Sequence, residues 1–197
     1  MITAAIVDPL IEHPWLARTA FVLCLTVGPV LGYILMQRRG LAAVLSGVSS
    51  LPILALTLVP VDRELSGRCS VDWLLPTFAR VELLANVVLF IPPVLLAAIA
   101  TRRPVVALMG GSVTAGAIEA IQAAVPALGR SCDTNDWLSN TIGAALGAGL
   151  AALVLWAEAR RRMRRTPDAF MSDVVPRSEN AVGASDTTPD ASGGCGV

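Results

Sequence analysis

The chain has 197 residues, 54% of them hydrophobic and 15% charged, with a mean hydropathy of +0.66. Soluble domains carry about a quarter charged residues and about 45–50% apolar ones, so composition places the chain in the membrane class. Net charge is zero and every basic residue is Arg, which excludes the basic field that a nucleic-acid partner needs; one His and four Cys argue against a His/Cys zinc site, and neither a metal nor another cofactor is expected.

Residues 1–14 hold Asp8 and Glu12 and no basic stretch, unlike a secretory signal peptide. Five apolar segments follow, at about 15–36, 41–60, 82–100, 104–126 and 137–158. A bilayer core of about 30 Å takes about 20 helical residues, so each is long enough to cross or nearly so. They are continuously apolar, whereas barrel strands alternate. The expected fold is therefore all-α: a polytopic bundle of about five transmembrane helices over residues 15–158. Pro29 and Pro52 are predicted kinks in the first two helices. The interiors of those helices hold only Cys24, Thr26, Ser46, Ser49, Ser50 and Thr57 as further polar or thiol groups, and they read as packing helices.

Residues 159–197 begin with Arg160, Arg161, Arg162, Arg164 and Arg165, a stop-transfer anchor or a contact with anionic lipid. From 166 onward the chain is rich in Ser, Asp, Thr, Pro, Gly and Ala, too polar to bury a core, and reads as a disordered cytoplasmic tail. Cys195 lies in it.

Orientation follows from Arg placement. Arg38 and Arg39 join the first two helices, Arg102 and Arg103 join the third and fourth, and the Arg run follows the fifth. The other side has Arg63, Arg68, Arg80 and Arg130, diluted by Asp62, Glu64, Asp72, Asp133 and Asp136. The positive-inside rule makes the Arg-only side cytoplasmic, so the N-terminus is outside and the C-terminus inside.

Polar groups inside lipid mark helix contacts or sites. On the third helix Glu82 and Asn86 share a face; on the fourth, Ser112, Gly116, Glu119 and Gln122 do; on the fifth, Asp136, Asn140, Gly143 and Gly147 do. At a rise of about 1.5 Å per residue, Glu82, Asn86, Glu119, Gln122 and Asn140 all fall in the outer third of the membrane. Arg130, Asp133 and Asp136 lie just above, in "GRSCDTNDWLSN" (129–140). Such residues can simply bond helix to helix, at about 0.6–2 kcal/mol each. Their convergence at one depth points to an outward-facing pocket. In the same stretch Thr134 or Asn135 is the expected cap of the fifth helix, with Trp137 at the interface. Cys69 and Cys132 sit in the two outer loops, where an oxidising compartment favours a disulfide between them over two free thiols. Cys24 reads as a small apolar filler.

The stretches "ELLANVVLFIPP" and "IEAIQAAVPALGRSCDTNDWLSNTIGAALG" resemble the VanZ-like family of bacterial membrane proteins. The resemblance spans about residues 51–157. It rests on Asn86, Phe90 and Pro92, then Glu119 and Gln122, then Arg130 and Asp133, then Asp136, Asn140, Gly143 and Gly147. The family often has Gly two residues after the Pro, where this chain has Val94. The resemblance implies a multi-pass protein of the bacterial plasma membrane. The name-giving member is linked to low-level resistance to teicoplanin, and no reaction is implied.

Three functions fit these residues. In the first, the pocket binds a lipid head group, a lipid-linked cell-wall precursor or a glycopeptide. Arg130 would then grip a phosphate or carboxylate, and Glu119, Asp136 and Asn140 would orient polar groups. In the second, the chain is a membrane enzyme using paired carboxylates on a lipid or peptidoglycan intermediate; no Ser/His/Asp arrangement supports it, since His13 stands alone. The third, a small transporter, has the least support: no inverted repeat is visible and the polar groups stop in the outer third. Membrane lipids are partners in all three.

Overall fold

The structure is a computed structural model that describes residues 13–58, 69–71, 73–129 and 132–165. Most of the N-terminal segment, the loop charges Asp62, Arg63, Glu64, Arg68 and Asp72, the candidate Arg130, and the tail from 166 with Cys195 lie outside the described residues. So does the expectation that the tail is disordered.

Among the described residues the regular elements are helices: α1 (Trp15–Leu35), α2 (Arg39–Leu58), α3 (Val81–Thr101), α4 (Pro104–Ala124), a 3-10 turn (Pro126–Leu128) and α5 (Thr134–Arg165). Among the described residues, five helices are long and apolar enough to cross a membrane. The chain divides after Ala159; the bundle described below lies before that point, and the described part after it is the last turns of α5.

Local chemistry sets the helix ends. Pro104 opens α4 at its first turn, where its missing N–H costs nothing. Arg102 adopts the left-handed region (φ 56°) at the end of α3, a conformation that closes a helix but strains any residue with a Cβ. Val125, held extended ahead of Pro126, ends α4 with φ −122° and ψ 82°. α5 outruns the expected 137–158 at both ends. Its start is earlier because a cap lies at Asp133, and its end is later because Arg is a strong helix former.

α3 is the axis of the bundle. Ten of its residues are buried, including Val87, Phe90, Ile91, Leu95 and Ile99, and it packs on α1, α2 and α4. α5 closes on it through two glycines. A Cβ at Gly143 would collide with the Val87 carbonyl, and one at Gly147 would lie 2.5 Å from Ile91 O and 3.0 Å from Leu95 N. These backbones touch only because neither position has a side chain. Val94 is accommodated from the partner helix: a Cβ at Gly111 of α4 would meet Val94 Cγ2 at 2.8 Å and Ala144 Cβ at 2.9 Å.

The outward faces are apolar. Val30, Ile34, Val44, Leu51, Val105, Met109, Val113 and Leu153 are each more than half exposed. Continuous exposed hydrophobic surface on this scale is a liability in water and the expected boundary with lipid. The α2–α3 and α4–α5 loops share one end of the bundle, because a Cys69–Cys132 disulfide joins them. The Arg38–Arg39 and Arg102–Arg103 turns are therefore at the other.

Candidate functional site

At the disulfide end, the loops are fastened to each other before any side-chain cluster forms. The predicted Cys69–Cys132 bond is present, with a Cα–Cα distance of 4.8 Å. Ser70 N donates to Cys132 O at 3.0 Å and Thr134 N to Ser70 O at 3.2 Å, a short parallel bridge between the two loops. Gly129, at φ 63°, supplies the left-handed turn that brings the chain back from α4 toward Cys132.

The start of α5 is capped by Asp133, in place of the expected Thr134 or Asn135. Asp133 Oδ1 accepts from Asn135 N at 2.8 Å, and Asp133 O accepts from Asp136 N and Trp137 N at 3.2 and 3.3 Å. A carboxylate is a strong cap, and Thr134 N is already taken by Ser70. Asn135 is buried and reaches across to the other loop, where its Oδ1 accepts from Leu74 N at 2.7 Å.

Three helices then meet. Glu119 Oε2 of α4 accepts from Asp133 N at 2.8 Å. Asn86 Nδ2 of α3 donates to Asp136 Oδ1 of α5 at 2.6 Å. Ser112 and Thr141 share a hydroxyl hydrogen bond at 3.1 Å, and Trp137 Nε1 donates to Ser112 O at 3.3 Å. Asp133 and Asp136 are near enough for their charges to act on Glu119. Gln122 is buried at 7% exposure and Asn140 at 4%. Two atoms stand out: Ser139 Oγ and Asn140 Oδ1 are buried and, among the described residues, without a hydrogen-bond partner. An orphaned buried polar group costs about 1–3 kcal/mol, so this wall of α5 holds unused capacity to bind a donor.

The sequence candidates separate under this geometry. Asn86, Glu119, Asp133 and Asp136 are joined across α3, α4 and the α5 cap. Asn140 lies one turn below Asp136 on the same face of α5, and Gln122 one turn beyond Glu119 on α4. Glu82 stands apart, exposed in the first turn of α3. Arg130 lies outside the described residues. Ser139, Thr141 and the inward role of Asn135 are not among the candidates that sequence pattern supplies. Thr141 was detectable, since it falls four residues after Trp137 on the face toward Ser112; Ser139 was not, because a lone Ser carries no periodic signal. Among the described residues, no three His, Cys, Asp or Glu side chains are placed to share a metal ion, and Cys24 is the free cysteine.

Residues 21–155 match the model of the VanZ/LLP1 family. The chain belongs to the VanZ-like family. The matched region covers more than half of the chain and reaches back into α1, so it takes in the packing helices that the motifs alone left out. All the cluster residues named above fall inside this VanZ-like region. No curated protein and no solved structure matches the chain.

Proposed function

We propose that this VanZ-like membrane protein binds the polar head of an envelope molecule, a lipid head group, a lipid-linked cell-wall precursor or a glycopeptide, at the cluster beneath the Cys69–Cys132 disulfide. The Arg-only turns at the opposite end favour a cytoplasmic location for that end. The cluster then faces outward from a bacterial plasma membrane, where cell-wall lipids and glycopeptides are met. Envelope homeostasis or resistance to teicoplanin-type drugs is the corresponding physiological role.

The observation that carries this reading is the pair of buried, unpartnered atoms beside the carboxylates. If the cluster served only to tie helices, its buried acceptors would all be used internally, as Asn135 Oδ1 is. Instead Asn140 Oδ1 is open one turn from Asp136. Asp136, one turn away, and Glu119 of the same cluster are acceptors too. The set favours a ligand rich in N–H or O–H donors, such as an amine or sugar hydroxyls.

The test is co-purification. Wild type is expected to retain a polar lipid or precursor through mild-detergent purification, read by mass spectrometry. Glu119→Gln and Asn140→Ala are each expected to lower retention about tenfold or more, since a charge-assisted or buried hydrogen bond is worth about 1.5–3 kcal/mol. Deletion of the gene is expected to raise sensitivity to teicoplanin and envelope stress. Equal retention in all three proteins, with unchanged sensitivity on deletion, rejects the proposal.

A further inference from the structure

Between the disulfide and α3 the described residues, 70–71 and 73–80, run without helix or strand, and large apolar side chains among them face out. Val71, Trp73, Leu75 and Phe78 are 67%, 64%, 70% and 56% exposed. Collapse would hide such side chains, yet this segment is held open at three places. The disulfide and the Ser70 bridge fix its start. Leu74 N is bound by Asn135 Oδ1 in its middle. Arg18 Nε of α1 donates to Phe78 O at 3.1 Å near its end.

Aromatic contacts set the level at which it sits. The Trp73 ring meets Trp137 edge-on at 6.4 Å, and the Phe78 ring meets Phe21 at 5.8 Å. Trp137 lies in the first turn of α5, and Trp156 about 28 Å further along that helix at 1.5 Å per residue. Trp15 and Tyr33 are separated by about 27 Å along α1 on the same reckoning. Both pairs bracket a hydrocarbon core of about 30 Å, with ring side chains at its edges as in interfacial belts. Trp15, Tyr33 and Trp156 are all exposed. The segment thus lies at the edge marked by Trp137.

That edge fits its chemistry and the two alternatives do not. Deeper in the hydrocarbon, an irregular backbone would leave N–H and C=O groups without partners. In bulk water, four large apolar side chains would stay exposed on a rigid frame. The charged groups on the adjoining helix starts, Arg18, Arg80 and Glu82, are exposed or partly so, and the two cations suit lipid phosphates.

We infer that Val71 and residues 73–78 form an interfacial lipid-contact segment. Val71, Trp73, Leu75 and Phe78 seat at the boundary of acyl chains and head groups in the leaflet at the disulfide end, with Arg18 and Arg80 at phosphate level. The occupant of this surface is a phospholipid layer, continuous with the lipid around α1 and α4. The inference stands on the segment's own contacts and holds whichever ligand the polar cluster takes. It also sets head groups of that leaflet beside the cluster, through Trp73 on Trp137 and Leu74 on Asn135.

Photocrosslinking from the full chain tests it, with the disulfide intact and the protein in vesicles of phosphatidylethanolamine and phosphatidylglycerol. Leu75→4-benzoylphenylalanine is expected to give phospholipid adducts as its main product, seen as an intact-mass gain of one phospholipid. The yield should be comparable to that from Val113→4-benzoylphenylalanine on the exposed face of α4. In the same vesicles, the emission lost in Trp73→Phe should be blue-shifted from that of a water-exposed indole and quenched by brominated lipid. Adducts from Leu75 mainly to protein, a second copy included, overturn the inference. So does a Trp73 emission quenched by aqueous iodide and not by brominated lipid.

Discussion

The α1–α2 pair and the α3–α4–α5 trio are similarly apolar, yet they use their polar side chains in different ways. In α1 and α2, hydroxyls turn back on their own helix: Thr26 Oγ1 donates to Val22 O, and Ser49 and Ser50 Oγ donate to Ser46 O. Ser46 instead reaches Pro93 O of α3 at 2.8 Å. In the trio Thr101 and Thr114 also turn back, onto Ala97 O and Gly110 O, but a set of bonds runs between elements: Asn86 to Asp136, Asp133 to Glu119, Ser112 with Thr141, Trp137 to Ser112. A polar side chain that bonds its own backbone can hide its polarity on any helix, alone in lipid. One that bonds across helices fixes their register and depth. The trio is thus the part whose geometry depends on sequence at single positions, and there the buried unpartnered atoms Ser139 Oγ and Asn140 Oδ1 are found.

The sharpest way to break that contrast is at the α3–α5 seam. Gly143→Leu places a side chain where the Val87 carbonyl already lies, and backbone cannot yield as a flexible side-chain tip can. The expected cost is about 3 kcal/mol or more, the upper end for overpacking, with loss of most folded protein. Gly149→Ala on the same helix has open space around its new Cβ and should be neutral or stabilising by about 0.5–1 kcal/mol. Thermal unfolding in detergent, followed by circular dichroism, checks both. Equal tolerance at the two positions would show that the trio is looser than its contacts indicate.

The disulfide comes next. Cys69→Ser, or reduction of the wild type, opens a loop closed across 63 residues and should cost about 2–4 kcal/mol. Cys24→Ala in α1 should change stability by less than about 1 kcal/mol. Limited proteolysis should follow the same order, with reduction exposing the 69–80 stretch and leaving α1–α2 resistant. If reduction leaves stability and proteolysis unchanged, the side-chain bonds hold the loops without it.

How far this geometry could be read from sequence depends on the kind of signal. Spans are written in long apolar runs, and five came out with ends within a few residues wherever Pro or a turn marks the boundary. Spacings of three and four plus a shared depth put Asn86, Glu119 and Asp136 on polar faces, and packing supplies the pairings of Asn86 with Asp136 and of Asp133 with Glu119. Glu82 has the same spacing from Asn86 yet lies exposed, because the first turn of α3 rises beyond the reach of α5 and periodicity does not register where a neighbour ends. The cap at Asp133 escapes local pattern for a similar reason: Ser70, distant in sequence, occupies Thr134 N and leaves Asp133 to take Asn135 N. Val71 and residues 73–78 have no period to read, and their exposure is set by pins at Asn135 of α5 and Arg18 of α1. Local patterns give faces; which face meets which partner is decided by packing.

The smallest expected effect is also the most direct measure of the difference between the two regions. In a double-mutant cycle, Asn86→Ala with Asp136→Ala should show a coupling of about 0.6–1.7 kcal/mol, the range for interhelical hydrogen bonds in membranes. Asp136 has further interactions of its own, so Asp136→Ala alone should cost more than Asn86→Ala alone, and only the coupling isolates the pair. Thr26→Val removes a hydroxyl that bonds its own helix on an exposed face, and should change stability by less than about 0.5 kcal/mol. The valine loses one local bond and gains a methyl group toward lipid, two small terms of opposite sign. A Thr26→Val cost as large as the Asn86–Asp136 coupling would mean that polar groups in α1 also set the bundle's geometry, and the division between packing helices and site helices would fail.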